Sequence, residues 1–127
     1  MKAYKILLKQ IIQTDPFTGK ELKDEKGNPI EFSYRQQLWS LLRSSSSNEG
    51  ISTDDLMKRA QVQFLLEQTK EGGSVLLEKA QYDVLKETID KAKWIAVTKT
   101  TADMIDSVKN AAEVDVDEAK SDKSAKN

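Results

Sequence analysis

The chain has 127 residues, of which 38% are hydrophobic and 32% charged, enough for one domain with a modest core. Twenty Lys and Arg residues against 21 Asp and Glu leave a net charge of −1, too balanced a field to draw the whole protein to nucleic acid or an anionic membrane. Cysteine and histidine are both absent. Their absence removes disulfides, thiolate nucleophiles, Ser-His-Asp systems, histidine proton shuttles and the common zinc sites, and it fits a reducing cytoplasm.

The N-terminal run MKAYKILLKQIIQ is interrupted by Lys5, Lys9 and Gln10 and is followed by no small-residue cleavage site, so it does not read as a signal peptide. No other apolar run approaches the roughly 20 residues of a membrane helix. Tyr4, Ile6 and Leu8 alternate with Lys5, Leu7 and Lys9, and Ile11 and Ile12 continue the apolar character, which predicts a half-buried strand. Turn chemistry follows at Asp15-Pro16, at Thr18-Gly19 and at Lys26-Gly27-Asn28-Pro29, enclosing a polar excursion. Ile30 and Phe32 alternate with Glu31 and can pair back onto the first strand as a wide hairpin.

Ser33 is placed to cap a helix whose buried stripe is Tyr34, Leu38, Leu41 and Leu42. Ser44 to Gly50 reads as a linker or mobile loop. Ser52-Thr53-Asp54-Asp55 opens a second helix, with Met57, Ala60, Phe64 and Leu65 expected on its inner face and an end near Lys70. Ser74 to Leu77 is either a short strand or the lead-in to a third helix, whose stripe is Tyr82, Leu85, Ile89 and Ala92. Trp94 to Val97 is expected to pack on the core. Thr101 is expected to cap a last helix that turns Ala102, Ile105, Val108 and Ala112 inward. The fold class is therefore α+β: an N-terminal β-hairpin, about four short helices, one domain over residues 1–113 and a disordered charged tail over 114–127.

Few residues carry chemistry. Asp54-Asp55 and the pair Asp103 and Asp106 sit where carboxylates complement helix dipoles, which accounts for them without a metal. Gly72-Gly73-Ser74 lacks the spaced glycines and the Lys-Ser or Lys-Thr pair of a phosphate-binding loop and reads as a helix-ending turn. Lys20, Lys23 and Lys26 are interleaved with Glu21, Asp24 and Glu25, which cancel their field. No cofactor, metal or catalytic residue is expected, and the chain does not read as an enzyme. The aromatic residues are more informative. Phe32, Tyr34 and Trp39 cluster with Arg35 at the strand-to-helix junction, and four apolar stripes exceed what so short a chain easily covers. These four residues are the expected interface, with Trp39 as its anchor.

An extended YKILLKQI segment, the turn Gly27-Asn28-Pro29-Ile30, the helices YRQQLWSLL and STDDLMKRAQVQFLL, the lead-in from Val75 to Glu78, the helix YDVLKETI and a last helix ending in small residues follow one another in order. This order, from Lys2 to Val114, resembles that of small proteins of tailed bacteriophages. The resemblance implies a phage or mobile-element origin and a non-enzymatic role through a protein partner, which is a second copy, another phage protein or a host protein. The expected places are the host cytoplasm and the virion. A structural or assembly protein is the leading expectation, an inhibitor or adaptor docking on a host protein the second, and an enzyme working with carboxylates alone the third.

Overall fold

A computed structural model describes residues 2–43, 50–94 and 97–115 of the chain. The elements run β1 (Lys2–Leu7), β2 (Gln10–Ile12), β3 (Glu31–Ser33), α1 (Tyr34–Arg43), α2 (Thr53–Gln68), β4 (Ser74–Glu78), α3 (Lys79–Lys91), α4 (Lys99–Lys109) and β5 (Ala112–Asp115). The class is α+β, with a three-stranded antiparallel sheet in the order β4-β1-β5 and a separate ribbon of β2 and β3.

β1 is the central strand. Its alternation places Ile6 and Leu8 in the core with Tyr4 half-buried beside them, while Leu7 stays 43% exposed. β4 pairs so that Val75 lies opposite Ile6 and Leu77 opposite Tyr4, which sets the apolar residues of both strands on one face. The turn before β4 extends this pairing. Leu8 N–H donates to Gly73 C=O at 2.9 Å and Gly72 N–H donates to Leu8 C=O at 2.8 Å, with Gly72 at φ 80°, a conformation that favours glycine. The expected hairpin forms on the second half of the N-terminal apolar stretch, where Ile11 faces Phe32, and leaves β1 free for β4 and β5.

Helix ends follow the side chains that can cap them. Ser33 Oγ accepts from Gln36 N–H at 3.1 Å and Ser52 Oγ from Asp55 N–H at 3.2 Å, whereas Glu78 and Gln81 form a reciprocal capping box on α3. For α4 the cap is Thr98, whose hydroxyl accepts from Thr101 N–H, so the expected cap lies one turn inside the helix. α1 and α2 are antiparallel and clasp each other's C-terminal carbonyls. Arg35 donates to Leu66 C=O at 2.7 Å and Glu67 C=O at 2.9 Å, Gln63 donates to Trp39 C=O at 3.2 Å, and Arg59 donates to Leu42 C=O at 3.4 Å. Guanidinium groups at helix C-termini satisfy orphan carbonyls and the negative end of the dipole together.

Tyr82 joins three layers. Its ring stacks on Tyr4 of the sheet with centroids 4.1 Å apart, and its hydroxyl donates to Val108 C=O at 2.6 Å and Lys109 C=O at 3.0 Å at the end of α4. An ion pair at 2.6 Å between Lys109 and Asp90 closes the same seam.

Several sequence expectations are corrected. α2 buries Val62 and Leu66, while Met57, Ala60 and Phe64 face outward. Trp94 and Val97 are exposed, at 41% and 101%, and Ala102 and Ala112 also face solvent. The start of the expected tail, Val114 and Asp115, belongs to β5, whose backbone pairs with β1, while Ser74 to Glu78 takes the strand form of the two alternatives expected. The serine-rich linker at 44–49, positions 95 and 96, and the rest of the expected tail, 116–127, lie outside the described residues.

Tyr82→Phe is expected to lower stability by about 1 kcal/mol, since it removes the hydroxyl that donates to the Val108 and Lys109 carbonyls without changing the packed ring. Urea denaturation checks this through a lower midpoint at unchanged slope.

Candidate functional site

The strand-to-helix junction holds the four residues expected at an interface, and it divides them into two pairs. Phe32 and Tyr34 are buried, 9% and 1% exposed, with their rings edge to face at 5.9 Å. They are core residues and not a docking surface, because both rings belong to the buried apolar cluster. Burial also raises the Tyr34 hydroxyl above the ordinary tyrosine range. Ser33 fixes the junction from below: its hydroxyl donates to Glu71 Oε1 at 2.7 Å while it caps α1.

Arg35 and Trp39 reach the surface. Together with Gln36, Ser40, Leu66 and Glu67 they line an open cleft of about 380 Å³ between the start of α1 and the end of α2. Arg35 spends its donors on the α2 carbonyls, so it shapes the wall of the cleft more than it offers charge to a ligand. The Trp39 ring packs against the core with the Arg43 guanidinium 5.8 Å from its centroid, and its indole Nε1 is buried with no acceptor among the described residues. An unpaired buried donor costs about 1–3 kcal/mol, so apolar packing and not hydrogen bonding sets the position of this ring.

Two further surfaces were not singled out by the sequence. The first is the excursion between β2 and β3. Gln13 N–H donates to Ile30 C=O, Ile30 N–H to Leu22 C=O and Leu22 N–H to Gln13 C=O, a closed ring of three backbone bonds of 2.8 to 2.9 Å from which two arms project. Each arm is tied by an aspartate. Asp15 Oδ1 accepts from Phe17 and Thr18 N–H at 2.8 and 3.0 Å, and Asp24 Oδ1 accepts from Lys26 and Asn28 N–H, both at 2.9 Å. The Phe17 and Thr18 amides hold the Asp15 carboxyl below the ordinary aspartate range. At the tip of the first arm Phe17 is 96% exposed, and Ile12, Leu22 and Ile30 around the ring are each more than a third exposed. The signal in the sequence was a phenylalanine inside the turn Asp15-Pro16-Phe17-Thr18-Gly19, where only polar residues are needed for the turn itself.

The second surface is the outer face of α2. Residues 53–58 of this helix are all exposed, and beyond them the inner face is held by Val62 and Leu66. Ala60 and Phe64 each lie two positions from Val62, about 200° around the helix, on the side opposite the core. Met57 is 56% and Phe64 57% exposed there, with Leu56 at 51% on the flank.

The carboxylates singled out in the sequence sit in ordinary helical positions. Asp54 and Asp55 occupy the first turn of α2, Lys99 pairs with Asp103 at 3.9 Å, and Asp106 accepts from the Asn110 amide at 2.9 Å. Among the described residues no group of three or more Asp and Glu side chains is placed to hold a metal ion. The amide of Gly72 is committed to Leu8, which makes the Gly72-Gly73 turn a continuation of the sheet and not a phosphate cradle. Among the described residues no helix is long and apolar enough to cross a membrane.

Phe32→Ala is expected to cost about 3–5 kcal/mol, as aromatic truncation in a core does, and urea denaturation measures it. For Asp15 the sign follows from its lowered pKa: the turn gains from the carboxylate at neutral pH and loses that gain as pH falls through the lowered value. The amide resonances of Phe17 and Thr18 are expected to titrate together below the ordinary aspartate range, and Asp15→Asn abolishes that titration.

Comparison with protein-family models, with curated proteins and with solved structures found no match for this chain.

Proposed function

We propose that this chain is a non-enzymatic protein of phage or mobile-element origin that works by binding another protein, as a structural or assembly component of a virion. The observation that carries the reading is Phe17. A phenylalanine left 96% exposed forgoes about 1.5–3 kcal/mol of burial, yet here it stands on a turn fixed by Pro16 and by two amide bonds to Asp15. A turn backbone held in place before docking loses little conformational entropy when a partner covers the ring it carries. The charges that follow it in the excursion, the basic Lys20, Lys23 and Lys26 and the acidic Glu21, Asp24 and Glu25, cancel and supply polar neighbours without a net field. The phage origin and the place of action, host cytoplasm or virion, rest on the resemblance in the order of features.

The cleft beside Trp39 favours a second reading, an inhibitor or adaptor on a host protein, because an apolar wall with polar neighbours fits a single inserted side chain. Replacing Phe17 by alanine in the genome that encodes the chain separates the two. The assembly reading expects the wild-type chain in purified particles, and a particle yield about 10-fold lower or worse for the variant at an unchanged urea midpoint. Normal yield from Phe17→Ala, with the wild-type chain absent from particles, contradicts it. The inhibitor reading then expects host binding to be lost on filling the cleft with Gln36→Trp.

A further inference from the structure

We infer that the outer face of α2 is the seam of an antiparallel helix pair formed with a second copy of this chain. The inference deepens the interaction reading but rests on a different surface from Phe17. Thr53, Met57, Ala60 and Phe64 follow one another at spacings of four, three and four, the a/d repeat of a helix that faces one other helix. The seam is narrow, too narrow for a sheet. It lies opposite Val62 and Leu66, so α2 meets the core of its own domain with its other side and cannot turn this one inward.

The pattern is complementary to itself in one orientation. With a two-fold axis between Ala60 and Gln61, Met57 of each copy lies opposite Phe64 of the other, and the small Ala60 lets the helices approach where they cross. The flanks carry little charge at closest approach: Asp54, Gln61 and Gln68 on one side, Leu56, Gln63 and Glu67 on the other. Antiparallel pairing sets Asp54 against Gln68 of the second copy and Gln61 against its own equivalent. Parallel pairing would instead bring Glu67 level with Glu67 of the second copy and align the two helix dipoles. A net charge of −1 per chain adds almost no repulsion between copies. Leu56, Met57 and Phe64 are each about half exposed, and their burial supplies the apolar centre that a homodimer interface requires.

The test uses the full chain, whose lack of cysteine makes any introduced thiol unique. Sedimentation of the wild type at about 200 µM is expected to show a dimer. Gln61→Cys, exposed and beside the axis, is expected to cross-link into a covalent dimer on mild oxidation, whereas Lys99→Cys on α4 is not. Phe64→Glu is expected to weaken the dimer about 30-fold or more while circular dichroism and the urea midpoint stay unchanged, because the residue is outside the core. A monomeric wild type, a dimer unaffected by Phe64→Glu, or equal cross-linking of the two cysteine variants overturns the inference. Each of these outcomes leaves the Phe17 surface, and the reading built on it, untouched.

Discussion

The position of β1 between β4 and β5 is the constraint on which the rest of the structure depends. Ala3 pairs with Glu78 on one side and Val114 on the other, so the first strand is not complete until nearly the last described residue has arrived. Such long-range pairing carries a loop-closure cost that the helices must offset by packing. They do so on one face. Ile6, Leu8, Val75 and Leu77 provide the sheet side of the core, and Leu38, Leu66, Leu85 and Met104 come down on it from α1, α2, α3 and α4. The Tyr4–Tyr82 stack and the bonds from the Tyr82 hydroxyl to the end of α4 connect the arrival of β5 to the packing of α3.

Once β1 is committed in this way, the polar excursion between β2 and β3 is left without a place in the core. The apolar stretch after β1 turns away as β2 and pairs with β3, so that Ile11 and Phe32 still pack with the core, and the excursion between the two strands closes on its own backbone ring. α2 is clasped to α1 by Arg35 and Arg59, which decides which of its faces goes inward. Its other face is left uncovered. These two exposed apolar surfaces are thus consequences of how the core closes, and both stand on hydrogen-bonded backbone.

Much of the architecture was legible in the residues. The alternation in β1, the Ser33 and Ser52 caps and the inward stripe Tyr82, Leu85 and Ile89 all follow from local chemistry, and the hairpin was expected though not its register. What was not legible depends on partners distant in the chain. β5 is Ala-Glu-Val-Asp, an edge strand specified by the backbone of β1 and not by its own side chains, so it reads as the start of a polar tail. The outer stripe of α2 is more regular than its inner one, and periodicity alone assigns the more regular face to the core. The candidate site was half legible: the junction was found, but its aromatic density is the mark of packing at Phe32 and Tyr34, and only Arg35 and Trp39 reach the surface.

Native-state hydrogen exchange tests the claim that a β1-centred core carries an independently closed excursion. Amides of the sheet, such as those of Leu8 and Gly72, are expected to exchange only through global unfolding, whereas those of Gln13, Leu22 and Ile30 exchange through a smaller opening that leaves the core intact. Equal opening free energies in the two groups would contradict the account, since the excursion would then be part of the cooperative core and not an appendage on it.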